Sequence, residues 1–458
     1  MTASASLSER LGGIVATWRA EDMPDSAIRA ATRCMTHNLL MGLAAGAGRQ
    51  PPSRSVQRAD GATLLNGGAR VAVEDAAFAN AALMNMRSQD DTHEASVSHP
   101  GVPVLAASLA LAESEGASGQ DLITAVILGY EVLCRVGSVC GQAMSARGFR
   151  AGSVLSVLGA AAASARLMRL DATRTAHALG LASQMAAGHG QVWREGGSEF
   201  TTQLGMGARN GVLAARLARD GHTAVRHSLE GPSGFLRAFG GTEVETADLT
   251  TTLGREWQVE AVTLKLFPVC AVLQGPLVLL AELRAQHGLT LDTTRQVRLT
   301  LSPFEATYPG IDNPGAITSA SAAKMSAQFC IALMLRDGTV TFEALSDFTA
   351  AGIRAAQGAV LVRIDPTLTP RQCRLQITRA QGDTLSAGLD QPVGRPADVD
   401  IDAFAALIAR ESGHSPGAIA DLDAAVAGLW SGGTVAGLLA AWANAAHPAI
   451  GGAEGQRR

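Results

Sequence analysis

Between Leu7 and Asp220 one pattern recurs: apolar residues at helical spacing, interrupted only by Gly or short polar clusters. It covers Leu7 to Trp18, Ser26 to Ala45, Glu74 to Met86, Val102 to Glu115, Gly119 to Val136, Ser153 to Leu170, Ala172 to Ala187 and Gly211 to Asp220. A succession of this kind can bury its apolar faces only by packing helix on helix. Two starts carry cap chemistry, Ser118 ahead of Asp121 and Asp171 ahead of Arg174. After Pro268 the pattern changes. Gln296 to Leu301, Val360 to Ile364 and Cys373 to Thr378 alternate as half-buried strands do, with helical spacing at Ala322 to Leu335 and Thr341 to Phe348. From Ile401 the helices return, at Ile401 to Glu411, Ala418 to Leu429 and Thr434 to Ala445. The expectation is a mainly α protein. A large helical domain (1–267, completed by 401–458) carries a smaller α+β lid domain (268–400), with an active-site cleft between them.

The charge balance narrows the function. A net charge of -4 with no basic run argues against nucleic acid as partner. The six cysteines are scattered, with no CxxC pair, and point neither to a zinc knuckle nor to a disulfide framework. The first residues, MTASASLSERLGGIVATW, lack the basic start and apolar core of a signal peptide. The most apolar stretch, Ala151 to Ala165, is shorter than the roughly 20 residues a membrane span needs. The expectation is a soluble cytoplasmic protein.

Composition then marks individual residues. Of 37 basic residues only Lys265 and Lys324 are lysine, and Tyr130 and Tyr308 are the two tyrosines. Arginine replaces lysine as a solvated charge but not as a compact ammonium with a tunable pKa, so the surviving lysines and tyrosines are first candidates for chemistry. The densest polar cluster is DDTHEASVSHPG, Asp90 to Gly101, immediately before an apolar helix. Imidazole and carboxylate together suit proton transfer, and a helix N-terminus suits an anion. Capping of that helix accounts for one or two of these residues, and metal binding by Asp91, His93 and His99 matches no helical ligand spacing. Lys265 opens KLFPVCAVLQ at the expected domain boundary, where clefts form. Tyr308 falls in a loop after the Gln296 to Leu301 strand. The glycine string GMGARNG, with Gly205, Gly207 and Gly211, lacks the preceding strand of a dinucleotide loop and reads as close helix packing.

These segments together resemble the MmgE/PrpD family, which includes 2-methylcitrate dehydratase, cis-aconitate decarboxylase and iminodisuccinate epimerase. The resemblance runs from about residue 7 to 350, through DDTH…HPG, PVLAASLALAE, GASGQDLITAVILGYEV, RGFRAGSVLSVLGAAAASARL, GVLAARLARDG, KLFPVCAVLQ and AAKMS. It implies a helical domain with an α+β lid, a homodimer, and catalysis on small di- or tricarboxylic acids without metal or organic cofactor. Asp91, Thr92, His99, Lys265 and Tyr308 stand at its catalytic positions, and Lys324 at that of a lysine preceding a family serine. Family residues are replaced at Ser88, Arg150, Phe200, Gln203 and Gln274. The resemblance places these five, with Lys324, around the substrate. A lysine lost to Phe200 implies a less anionic or more apolar substrate than citrate-like acids, and Arg150 is suited to restoring a carboxylate contact. In this reading His99 moves the proton at carbon, Lys265 and Arg150 hold a carboxylate, Tyr308 donates to the leaving or enolate-like oxygen, and Asp91 and Thr92 orient His99 or the substrate. The implied activity is that of a lyase, dehydratase or decarboxylase. An isomerase or epimerase, and a non-catalytic binding paralogue, are the alternatives.

Overall fold

The computed structural model of the protein describes residues 5–45, 56–241, 248–349 and 352–446. Two hydrophobic cores divide it. The larger is built from residues between Leu7 and Leu264 together with Val399 to Ala445, and the smaller from Val269 to Ile377.

The large core is a packed group of helices. Leu7–Thr17 and Gly119–Ala146 both start on capping boxes, Ser6 with Glu9 and Ser118 with Asp121. The Gly119–Ala146 helix runs ten residues beyond the expected Val136, through Gly137 and Gly141. A Cβ at either glycine would meet Ser96 within 2.3 Å. These glycines therefore let the polar Asp90–Gly101 loop lie against the helix rather than ending it. At 28 residues this is also the helix long and apolar enough to cross a membrane among the described residues, but 89% of its apolar window is buried inside the protein. It holds a buried Arg135–Glu131 pair at 2.6 Å.

The glycine string lies within the Glu199–Arg219 helix, which begins twelve residues earlier than expected. Gly205 abuts Phe78, Gly207 abuts Ser156 and Gly211 abuts Ala160 and Ala161. The contact with the Ala151–Leu167 helix is thus close helix packing. The C-terminal helices Ile401–Ser412, Pro416–Gly428 and Val435–Ala446 complete this core. Phe404 stacks on His37 at 4.9 Å, and Trp442 Nε1 donates to the Leu65 carbonyl.

The smaller unit is α+β. Its four-stranded sheet runs in the order Val360–Ile364, Thr294–Leu301, Cys373–Arg379, Thr384–Leu389, the first pair parallel and the others antiparallel. Val297, Leu299, Leu301, Leu375 and Ile377 fill one face and are buried. Helices Gln274–His287 and Ala327–Asp337 cover it. Several expectations fail here. The stretch Ala322 to Leu335 is two helices, Ala320–Met325 and Ala327–Asp337, because Ser326 caps the second and donates to the Asn313 carbonyl. Thr341 to Phe348 forms only a single tight turn at Ala344–Ser346. The Gln274–His287 helix and the edge strand Thr384–Leu389 were not foreseen. The edge strand has no buried residue in its alternation, so it lacks the apolar face by which a strand is read.

A short antiparallel pair, Thr92–His93 with Val262–Thr263, ties the polar loop to the segment leading into Lys265. That pairing brings two motifs 170 residues apart to one place.

Candidate active site

A cleft enclosing about 800 Å³, its solvent-open mouth included, lies between the two cores. Among its lining residues are Ser88, Thr92, His99, Arg150, Lys265, Tyr308 and Lys324.

His99 is fixed by what surrounds its Nδ1. The Asp90 carboxylate Oδ2 lies 3.1 Å away and the Asp91 carbonyl 3.2 Å away. Both are acceptors, so Nδ1 carries the proton and Nε2 keeps its lone pair for the cleft. Burial pulls the imidazole below its ordinary 6.5; Asp90 opposes this, and Lys265 adds to it. The ring is therefore neutral near pH 7 and basic at Nε2.

Asp90 is fully buried between cations. Its Oδ1 accepts from Asn85 Nδ2 at 3.1 Å and lies 3.8 Å from Lys265 Nζ. Burial alone would raise its pKa, but in the acid range where it titrates the protonated His99 joins Lys265 and Arg150 in holding the carboxyl well below the usual range. Lys265 Nζ also donates to the Ser88 carbonyl at 2.7 Å. Burial lowers the lysine's pKa, and Asp90 counteracts that. Behind it His37 Nε2 donates to the Lys265 carbonyl at 3.2 Å, and burial brings that imidazole to about 4.

Asp91 faces the other way. Its Oδ2 accepts from the Tyr130 hydroxyl and its Oδ1 from the Gly101 amide at 3.0 Å. Burial raises it to about 7. The expected orienting role of Asp91 is corrected in one respect: its side chain does not line the cleft, and the carboxylate beside His99 is that of Asp90. The chain bends at Asp90, and the two adjacent carboxylates have separate partners. Only the Asp91 carbonyl reaches His99. Tyr130 is the buried partner of Asp91. Asp91, His93 and His99 do not converge, since His93 Nδ1 bonds to Ser96 Oγ at 2.8 Å.

The other positions divide clearly. Thr92 lines the cleft with a buried Oγ1 that has no partner among the described residues. Tyr308 lines it with a hydroxyl raised to about 12 by burial, so it stays protonated and can donate. Arg150 reaches the Phe200 carbonyl and, at 3.1 Å, Gln203 Oε1. It lies over the Trp193 ring at 5.0 Å. Lys324 Nζ approaches the Met86 carbonyl at 3.3 Å and Ser88 Oγ at 3.5 Å, over the Phe200 and Phe342 rings.

Three expected substrate contacts sit behind the lining. Phe200 packs under Lys324 and Trp193. Gln203 braces Arg150 and the His189 carbonyl. Gln274 accepts from the Leu266 and Phe267 amides and donates to the Phe267 and Val269 carbonyls. Its amide is consumed in shaping the loop that follows Lys265.

The sequence assigns no role to Asp90 or Glu94 within the polar cluster, and nothing in it marks Asn85, Glu305 or Arg371. Arg371 lies in the cleft wall with Nε 3.2 Å from Glu94 and Nη1 3.7 Å from Glu305. No motif marks Arg371, but its backbone does. Among the described residues four non-glycine residues have left-handed φ, and three of them, Ser88 (56°), Val97 (51°) and Arg371 (70°), line the cleft. Such strain persists where surrounding contacts over-determine it and gathers at functional sites. At Ser88 it turns the carbonyl to Lys265 and the hydroxyl to Lys324.

Comparison with known proteins finds matches over both parts of the chain. Residues 9–247 match the MmgE/PrpD N-terminal domain and residues 267–400 the MmgE/PrpD C-terminal domain. The chain is 29% identical over 290 residues to a cis-aconitate decarboxylase of Aspergillus terreus, covering 60% of this chain and 59% of that protein. It is 31% identical over 256 residues to the cis-aconitate decarboxylase-like protein oryM of Aspergillus oryzae (52% of this chain, 53% of that one). With human cis-aconitate decarboxylase the identity is 33% over 168 residues, 35% of this chain and 34% of that protein. The alignments thus span about 60% or less of each relative's length.

Proposed function

Because the chain belongs to the MmgE/PrpD family, matched over both its helical and its α+β parts, we propose that it is a lyase, dehydratase or decarboxylase, acting on a small carboxylic acid. The observation that carries the reading is the contact chain His99–Asp90–Lys265 at the cleft, with Tyr308 in the same wall. Two of the named relatives are cis-aconitate decarboxylases and the third is named as decarboxylase-like, which supports a lyase over an epimerase.

The mechanism follows from the charges. Elimination beside a carboxylate passes through a carbanion-like centre, and preorganised cations in a dry site stabilise the charge as it develops. Lys265 and Arg150 supply that field. His99 Nε2, neutral, takes the proton from carbon in dehydration; in decarboxylation it first takes up a proton from solvent and passes it to the carbon that carbon dioxide has left. Asp90 stabilises the imidazolium formed when His99 takes up that proton. Tyr308, still protonated far above neutrality, donates to the departing or enolate-like oxygen. Thr92 Oγ1 offers one further hydrogen bond.

The test is incubation of the purified protein with hydroxy-acids and unsaturated acids in deuterated water, followed by proton NMR. A lyase shows loss of water, or loss of carbon dioxide with deuterium taking its place at the reacting carbon. Label exchange with no such loss would replace this reading by epimerisation. Binding without exchange or turnover would make the chain a binding protein.

A further inference from the structure

Counted over its whole lining, the cleft carries more positive charge than negative. Arg150, Lys265, Lys324 and Arg371 stand against Asp90, Glu94 and Glu305, with His99 neutral. Burial raises both glutamates, which favours their uncharged forms, and Arg395 acts on Glu94 in addition. Phe200 brings no charge, but Lys324 lies over its ring at 5.3 Å, so that part of the wall stays cationic.

Two of these cations keep a buried N–H that no acceptor meets. Among the described residues neither Arg150 Nε nor Arg371 Nη1 has a hydrogen-bond partner. Arg371 Nε lies 3.2 Å from Glu94, whereas Nη1 is 3.7 Å from Glu305, beyond hydrogen-bonding distance. A buried donor in that condition calls for an acceptor. Arg371 is also held firmly. It sits in the turn before the Cys373–Arg379 strand with a left-handed backbone, φ 70°. Its amide donates to Glu305 Oε1 at 3.0 Å, and Glu305 Oε2 accepts from Ser302 Oγ at 2.8 Å. The α+β lid thus presents this guanidinium to the helical part, where Glu94 belongs to the polar loop. Lys265 and Tyr308 are each within electrostatic reach of both arginines, so the two forks share one reacting centre.

We propose that Arg371 is a substrate-binding residue contributed by the lid: it receives a carboxylate of the acid other than the one held by Arg150 and Lys265, and thereby selects acids with two carboxylates over acids with one. Glu94 and Glu305 orient the guanidinium without completing its hydrogen bonds, and Arg395 shares in balancing Glu94. A planar fork offers further N–H groups to a second carboxylate, which a lysine at this position would not. The role deepens the carboxylic-acid reading above and rests on it.

The experiment compares fumarate, maleate and glutarate, each with its own monoamide, on the full chain by titration calorimetry and ligand-observed NMR. The amide keeps the shape of the second carboxylate and removes its charge. For at least one pair the wild type should bind the diacid about tenfold or more tightly than the monoamide, the scale of one charge-assisted hydrogen bond. Arg371→Gln should bring that preference to within about threefold while leaving monoamide affinity within about twofold of wild type. A variant that weakens diacid and monoamide equally would make Arg371 a purely structural tie between lid and loop and overturn the proposal. So would monoamides binding as tightly as diacids to the wild type; in both cases the carboxylic-acid reading stands. Failure of every acid in the series to bind would overturn both. If Arg371→Gln does not fold, Arg371→Lys takes its place, keeping the charge without the fork. Its preference should fall at least about threefold, and an unchanged preference would overturn the proposal.

Discussion

Replacing Asp90 by Asn strips one negative charge from a buried cluster and leaves its cations in place. At 3.8 Å and an effective dielectric of ~20, Asp90 and Lys265 attract by about 4 kcal/mol before desolvation is counted. Truncating one partner of a buried pair costs ~3–5 kcal/mol, because the other charge stays buried without compensation. Asp90→Asn and Lys265→Met are each expected to destabilise by about that much. The double variant removes both charges and should cost clearly less than their sum, with an interaction energy of ~2–3 kcal/mol. Urea titrations of the four proteins at pH 7.5, followed by far-ultraviolet circular dichroism, give the cycle. The pH dependence adds an independent check. The folded pKa of Asp90 lies below its ordinary 3.8, so its stabilisation is present above pH 3.8 and lost as pH falls from there toward the folded value. The difference between wild type and Asp90→Asn should shrink in that acid range. Additivity of the two single changes to within about 0.5 kcal/mol would refute the idea that these groups form one electrostatic unit.

The other expectations concern proton transfer, the support behind Lys265 and the helix packing. His99→Gln should leave the dichroism spectrum unchanged and lower turnover by ~10²–10⁴-fold, the usual contribution of a general acid–base; near-normal turnover removes His99 from the mechanism. His37 is held at about 4 against an ordinary 6.5, so the unfolded chain takes up the proton first. The stability of the neutral ring is present above pH 6.5 and lost as pH falls toward 4. Between pH 7 and 5 the wild type should therefore lose ~2 kcal/mol more than His37→Phe, and equal losses in urea titrations would count against a neutral buried ring. Gly207→Ala would put a Cβ 1.7 Å from Ser156 Oγ, and a loss of ~1–3 kcal/mol is expected from forcing the two helices apart. A thermal midpoint equal to wild type would show that this contact is looser than drawn.

Much of the architecture is legible in the chain because helices announce themselves locally. Apolar spacing, with caps at Ser118 and Asp171, located the helical elements, and the change after Pro268 located the α+β unit. Where local signals have two meanings, the reading went astray. Gly137 and Gly141 looked like the end of a helix and are instead the seat of the Ser96 loop. Ser326 looked like a helix interior position and is a cap. The Thr384–Leu389 strand, at a sheet edge, has no apolar face to detect.

The candidate site divides along the same line. Scarcity and motif drew attention to Lys265, Tyr308 and His99, because side-chain chemistry is written in residue identity. Which of Asp90 and Asp91 faces the imidazole is not, since adjacent residues carry the same group and only the folded surroundings, Lys265 and His99 beside Asp90 and Tyr130 and Gly101 beside Asp91, distinguish them. Nor could residue type tell that Gln274 is spent on backbone, or that Arg371 arrives beside Glu94 from a turn nearly 280 positions away. The amino-acid sequence by itself determined the helical and α+β parts and the chemical groups available. Tertiary structure decided which groups meet and where charge goes uncompensated, because burial and distance set the strength of an electrostatic contact and neither is a local property of the chain.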